Sequence, residues 1–107
     1  MKTMEKKVEM ENLNALENLT AWEIGELIAK CKYCQTPEML KYYKKLKPFY
    51  KNVSWLIKNC KYARTPEMLK YFKSLKPYAW DISDLIVNCK YARTPEMRKY
   101  YKKLLNE

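Results

Sequence analysis

The sequence predicts an all-α protein built from tandem αα-hairpins, because it combines an internal repeat with helical spacing of apolar residues. Near-identical stretches begin at Leu27, Leu56 and Leu85, so the period is 29 residues. Over 23-residue windows from these leucines, the first and second copies agree at 16 positions, and so do the second and third. A fixed period of this size is typical of stacked arrays. A hydrophobic fraction of 48% with one glycine also fits a packed helical chain.

Each copy contains two helical patterns, here named helix A and helix B in chain order. In the second copy, the apolar residues of helix A are Val53, Leu56, Ile57 and Cys60, at the spacing i, i+3, i+4 and i+7. Helix B of the first copy repeats that spacing from Met39. This spacing places apolar side chains on one face of a helix, toward a core. Lys-Tyr pairs lie between the two helices, and we expect these tyrosines to pack at the hairpin corner.

Capping signals predict where the helices begin. Helix B follows a Thr-Pro-Glu sequence at Thr36, Thr65 and Thr94, in which threonine caps the helix and proline occupies its first turn. For helix A, Thr20 with Glu23 predicts a capping box in the first copy. The predicted N-caps of helix A in the later copies are Asn52 and Asp81.

One domain over 1–107 is the predicted organisation, since the chain has room for a single core running through the copies. Its predicted parts are an acidic N-terminal capping helix at 1–19 and three repeats at 20–48, 49–77 and 78–107. Stacking of the repeats would form a short α-solenoid, right- or left-handed.

This helix–turn–helix pattern resembles tetratricopeptide-like helical repeats. The resemblance implies an α-solenoid that binds other proteins in a groove lined by its helices. Those repeats run to 34 residues with a tryptophan, glycine and tyrosine pattern that this chain lacks, so no binding residue carries over.

Charge is distributed unevenly along the chain. The formal net charge is +10, of which residues 1–26 contribute −3 and residues 27–107 contribute +13. A basic field of this kind favours anionic partners, either nucleic acid or an acidic protein surface. On helix B the lysines lie opposite the apolar face, where they could follow a phosphate backbone or could serve only solubility. These candidate nucleic-acid-binding residues are Lys41, Lys44, Lys45, Lys70, Lys73, Lys99, Lys102 and Lys103.

A second candidate surface lies on or near helix A, where the copies differ from one another. Positions that stacking requires should recur, whereas positions that touch a non-repetitive partner are free to vary. This alternative is a protein-binding adaptor or inhibitor, with exposed tryptophan as an interface anchor. Its candidate residues are Trp22, Lys51, Trp55, Lys58, Trp80 and Asp84.

Catalysis is not expected, and we predict no catalytic residue, cofactor or small-molecule substrate. The chain has no histidine, glycine-rich loop or nucleophile with an evident base. Cys31 and Cys34 form the single CxxC sequence, which is a weak signal for redox or metal chemistry, so no metal site is predicted. We expect Cys31, Cys60 and Cys89 to be unbridged between neighbouring copies, because these equivalent positions on packed helices are farther apart than a disulfide allows.

The N-terminal residues lack the features of a secretory signal, and no segment has the apolar length of a transmembrane helix. A cytoplasmic, reducing location is therefore the expectation.

Overall fold

The computed structural model describes residues 18–107, and within this range the chain forms α-helices and short 310 turns with no β-strand. The all-α prediction is confirmed for these residues. The helices are α1 (Ala21–Lys30), α2 (Pro37–Lys45), α3 (Tyr50–Asn59), α4 (Pro66–Ser74), α5 (Ala79–Asn88) and α6 (Pro95–Leu105). Helix A of the three copies corresponds to α1, α3 and α5, and helix B to α2, α4 and α6. The 310 turns are Lys32–Cys34, Lys61–Ala63 and Lys90–Ala92.

The described residues fall into two compact units, 18–48 and Phe49–Glu107. In the first unit, α1 packs against α2. In the second unit, α3 contacts α4 and α5, and α5 contacts α6. Residues 1–17 of the predicted capping helix lie outside the described residues. No helix within residues 18–107 has the length and apolar character needed to cross a membrane.

Threonine side chains cap helix B in all three copies, as predicted. The Oγ1 atoms of Thr36, Thr65 and Thr94 each accept a hydrogen bond of 3.1 Å from the backbone N–H three residues later. Backbone N–H groups in the first turn of a helix have no acceptor within the helix. Proline has no N–H, so it suits this position. The capping box of α1 is also confirmed. Glu23 N donates to Thr20 Oγ1 at 3.2 Å, and Thr20 N donates to Glu23 Oε1 at 2.8 Å.

The predicted N-caps Asn52 and Asp81 are wrong, because both residues lie inside helices that begin earlier. The N-cap residues of α3 and α5 are Phe49 and Tyr78, which directly follow the prolines that end the preceding copies. Asp81 instead occupies the third helical position and accepts a 3.1 Å hydrogen bond from Tyr78 N. Its negative charge there favours the positive end of the helix dipole.

The 310 turns are closed by side chains that the sequence analysis did not identify. Arg64 donates from Nε to the Ile57 carbonyl at 2.9 Å and from Nη2 to the Lys58 carbonyl at 2.7 Å. Arg93 makes the equivalent bonds at 2.8 Å each, to Ile86 and Val87. At the same position of the first copy, Gln35 Nε2 donates to the Ile28 carbonyl at 3.0 Å. These side chains satisfy carbonyls that the end of helix A leaves unpaired.

Helix burial follows the predicted apolar faces. In the first unit, Ile24 and Ile28 on α1 and Met39 and Tyr43 on α2 are completely buried. The second unit buries Val53, Leu56, Ile57, Met68, Phe72, Ile82, Leu85 and Met97. Full burial of one such aliphatic side chain contributes about 1.5–3 kcal/mol. These faces, and not hydrogen bonds between helices, supply most of the stabilisation.

Small residues fill the hairpin corners, contrary to the expectation for the tyrosines. Tyr33 and Tyr91 are exposed, whereas Cys34, Ala63 and Ala92 are buried. Each small residue ends a 310 turn, where side chains three residues apart are eclipsed and space is limited. The tyrosine beside it is exposed in the first and third copies and is half-buried in the second, at Tyr62.

Candidate functional site

Six of the eight predicted lysines of helix B are exposed, as the helical spacing predicts, whereas Lys44 and Lys73 are half-buried. Lys41 and Lys45 on α2 are exposed in the first unit, and Lys44 is half-buried there. In the second unit, the exposed lysines are Lys70 on α4 and Lys99, Lys102 and Lys103 on α6. Across residues 18–107, no ion pair involves any of these exposed lysines. Their charges are therefore available to an anionic ligand.

Lys73 differs from the other lysines because α6 holds it in place. Its Nζ lies 5.7 Å from the centroid of the Tyr100 ring, within the range of a cation–π contact. Its backbone carbonyl accepts a 3.3 Å hydrogen bond from the Tyr100 hydroxyl. Burial and Glu107 raise the pKa of Tyr100, which keeps this hydroxyl a donor. Tyr100 thus couples α6 to α4 and fixes the position of one charge.

Two of the five acidic residues of the second unit are engaged elsewhere on the fold. Asp84 forms an ion pair with Lys58 at 2.9 Å, and Asp81 is buried at the start of α5. Glu67 and Glu96 occupy the first turns of α4 and α6, where the helix dipole favours them. The second unit keeps a positive net charge, with 13 basic against five acidic residues, although Glu96 and Glu107 line the same grooves as Lys70, Lys73 and Lys103.

Two grooves open on the second unit. One, of about 350 Å³, lies between α4 and the start of α6 and is lined by Pro66, Leu69, Lys70, Lys73, Tyr91, Thr94, Glu96 and Met97. The other, of about 490 Å³, lies between the α4–α5 connection and the end of α6. Its lining residues are Lys76, Pro77, Tyr78, Ala79, Tyr100, Lys103, Leu104 and Glu107. Both grooves therefore include lysines from the predicted set, but Lys76 and the tyrosines were not predicted as site residues.

Aromatic side chains gather at the starts of α3 and α5. The rings of Phe49 and Tyr50 have centroids 4.4 Å apart, and Tyr50 meets Tyr78 edge to face at 6.2 Å. Nearby on the same helices, Lys51 Nζ lies 4.8 Å from the centroid of the Trp80 ring. We call Phe49, Tyr50, Tyr78 and Trp80 the aromatic cluster. The only signal for it in the sequence is the aromatic residue that follows Pro48 and Pro77.

The predicted partner-binding residues separate into pairs and single side chains. The structure brings Lys51 to Trp80 and Lys58 to Asp84, so four of the six residues join α3 to α5. Trp22 is exposed on α1 in the first unit. Trp55 is half-buried, and so offers less surface to a partner than an exposed tryptophan would.

The four cysteines are free thiols. Cys34 is buried, and the pKa of Cys34 is raised to about 12, chiefly by this burial. A side-chain hydrogen bond with Cys31 and the electrostatic interaction with Cys31 contribute to this pKa shift in the same direction. A thiol that stays protonated is a poor nucleophile and a poor metal ligand. No group of three or more metal-ligating side chains occurs among residues 18–107.

Comparison of the chain with models of protein families, with curated proteins and with solved structures found no match.

Proposed function

We propose that this protein is a non-catalytic binding module that holds nucleic acid through the phosphate backbone. The lysines of α2, α4 and α6 are the proposed contacts. The observation that carries the proposal is the group of exposed lysines on α4 and α6 without an ion-pair partner among the described residues. Residues 49–107 contain 13 basic and five acidic residues, a formal charge of +8. Such a surface attracts polyanions and releases their counterions on binding.

We also propose that the three copies stack as a short, tetratricopeptide-like α-solenoid closed by a capping helix at 1–19. The 29-residue period and the recurring threonine caps support a repeated hairpin, and the packing of α3 against α5 supports stacking of the second and third copies. Equivalent lysines of successive copies would then be separated by about one interhelix distance, roughly 8–10 Å. A row of this kind could contact successive phosphates.

Charge reversal tests the proposed phosphate contacts. The test variant is Lys70→Glu/Lys99→Glu/Lys103→Glu, and the control is Lys61→Glu/Lys90→Glu, which changes exposed lysines of the 310 turns. Affinity for labelled DNA and RNA is measured by fluorescence anisotropy at several salt concentrations. The wild type should lose affinity steeply with salt, with a slope of about −0.7 per phosphate contact on single strands. The test variant should lose most binding at physiological salt.

If the control variant loses as much affinity per charge as the test variant, the binding is diffuse and the helix B assignment is wrong. Absence of binding to every oligonucleotide at low salt would refute the proposed function itself.

The second candidate function is a protein-binding adaptor or inhibitor that recognises an acidic protein surface. The exposed Trp80 with Lys51 beside it favours this candidate, because an aromatic anchor with a basic neighbour is common in interfaces. A glutamate-rich peptide of matched charge distinguishes the two functions. Tighter binding of that peptide than of an oligonucleotide, lost in Trp80→Ala, would favour the protein partner.

A further inference from the structure

Three of the four side chains in the aromatic cluster are strongly exposed, and Tyr50 is half-buried. Phe49, Tyr78 and Trp80 are 61%, 64% and 60% exposed, whereas Phe72 in α4 is completely buried. Large aromatic side chains dominate cores because they bury so much surface. Several of them left in water at neighbouring positions mark a surface on which a ligand can complete the burial.

Tyr78 connects this cluster to the 490 Å³ groove. Its ring contacts Tyr50 edge to face at 6.2 Å, and its side chain also lines the groove together with Lys76 and Lys103. A volume of this size lies within the range of small-molecule pockets, about 300–1,000 Å³. The groove therefore presents the Tyr78 ring together with the ammonium groups of Lys76 and Lys103.

The charges beside the cluster decide which ligand fits. Lys51 lies over Trp80, while Lys76 and Lys103 line the groove beside Tyr78. Of the neighbouring carboxylates, Asp81 is buried and bonded to Tyr78 N, so Glu107 is the acidic residue that faces the groove. Because three lysines and one exposed carboxylate lie beside the rings, these residues favour an anionic ligand that also offers flat apolar faces.

We infer that Tyr78 and Trp80 stack on unpaired bases, so that the ligand is single-stranded nucleic acid. The inference rests on the proposed function and narrows it. In a single strand the base faces are open to aromatic side chains, and the neighbouring lysines meet the phosphates. In a duplex the base faces are covered by the neighbouring base pairs, so an aromatic side chain finds no open base face on which to stack. Phosphate binding by lysine alone would not distinguish these two forms.

An abasic strand isolates the contribution of the bases, because it keeps the phosphates and removes the stacking surface. The probes are a 12-nucleotide oligothymidylate, an abasic strand of the same length and charge, and a duplex of mixed sequence. The wild type should bind the oligothymidylate about 5- to 150-fold more tightly than the abasic strand, the range expected for one stacked base. In Tyr78→Leu/Trp80→Leu this preference should disappear, while affinity for the abasic strand stays unchanged.

The matched control is Tyr78→Phe/Trp80→Phe, which keeps the rings and should keep most of the preference. Circular dichroism confirms folding of each variant, and both residues are exposed, so neither substitution removes core packing. Equal affinity of the wild type for the intact and abasic strands would overturn the stacking inference and leave phosphate binding standing. Failure to bind any strand would overturn both. Stronger binding of a glutamate-rich peptide, lost in the leucine variant, would assign the cluster to a protein partner instead.

Discussion

At the residue scale, Arg64 shows how a basic side chain can serve the fold and not a ligand. Its guanidinium donates to two carbonyls at the end of α3, over distances of 2.9 and 2.7 Å. Arginine suits this role because its donors form a rigid planar fork that stays charged. Part of the basic composition is therefore structural, which the net charge alone does not reveal.

Substituting Arg64 should destabilise the chain according to how many of these bonds survive. Arg64→Ala leaves both carbonyls without the guanidinium, and we expect the free energy of unfolding to fall by about 1–3 kcal/mol. Arg64→Gln should lose less, because Gln35 makes one equivalent bond in the first copy. Urea denaturation followed by circular dichroism measures the difference. If Arg64→Ala were as stable as the wild type, the backbone contact would contribute nothing.

Cys34 illustrates how burial suppresses the reactivity of a thiol. With its pKa raised from the ordinary 9.0 to about 12, roughly one molecule in ten thousand carries the thiolate at pH 8. We expect native Cys34 to react with iodoacetamide roughly a thousandfold more slowly than an ordinary thiol. Peptide mass spectrometry measures the labelling, with urea-unfolded protein as the control in which all four cysteines react. Rapid native labelling of Cys34 would contradict its burial.

The same shift predicts a pH dependence of stability. The unfolded thiol ionises near pH 9.0 and the folded thiol near pH 12, so the folded state binds more protons between these values. The stability that the protonated Cys34 thiol contributes to the folded state is fully present below about pH 9 and is lost as the pH rises toward 12. Cys34→Ala introduces alanine, the residue at the equivalent positions Ala63 and Ala92. The stability of this variant should fall less than that of the wild type as the pH rises above 9.

At the element scale, the end of helix B depends on an unfavourable backbone conformation. Lys47 and Lys76, each directly before a proline, have φ values of 52° and 56°. This left-handed region costs a residue with a Cβ about 1–2 kcal/mol. The proline then prevents the helix from continuing, and the next helix begins two residues later.

Glycine should therefore stabilise the protein at Lys47, just after α2, and destabilise it at Lys41, inside α2. Lys47→Gly removes the left-handed strain but adds about 0.5–1 kcal/mol of chain entropy in the unfolded state, so we expect a net gain of about 0.5 kcal/mol. Lys41→Gly, in the middle of α2, should instead lose about 1 kcal/mol. Thermal unfolding of the two variants gives the comparison. A loss of stability in both would refute the strain at Lys47.

The starts of helix B could be predicted from the sequence, whereas those of later helix A copies could not. Thr36 and its equivalents carry a local signal, in which the cap side chain bonds its own backbone three residues on. Phe49 and Tyr78 have no capping oxygen within reach of the first turn. Their helices begin there because the preceding Lys-Pro junction ends one helix and redirects the chain. Residue type alone therefore favours Asn52 and Asp81 as N-caps, although the junction that starts each helix lies earlier.

At the scale of the whole molecule, the sequence predicts the exposure of the lysines better than it predicts the grooves. Exposure of Lys70 or Lys99 follows from the spacing of apolar residues along one helix. The groove beside Tyr78 depends on how the end of α6 meets the α4–α5 connection, which is a long-range contact. No periodicity within a single helix contains that information. The proposed phosphate contacts can thus be predicted from the spacing of residues along one helix, whereas the proposed stacking surface depends on long-range packing.

The guanidinium and threonine contacts also bear on how such a chain changes length. In the third copy, the hydrogen bond that Thr94 accepts and those that Arg93 donates have both partners within that copy. The same is true of Thr65 and Arg64 in the second copy. An in-frame duplication of 29 codons would therefore bring a complete set of helix-terminating contacts with it. Only apolar faces and a few side-chain pairs, such as Lys58 with Asp84, would need to be matched at the new boundary. Recombination between copies could in this way lengthen or shorten the protein while preserving the local structure of every hairpin.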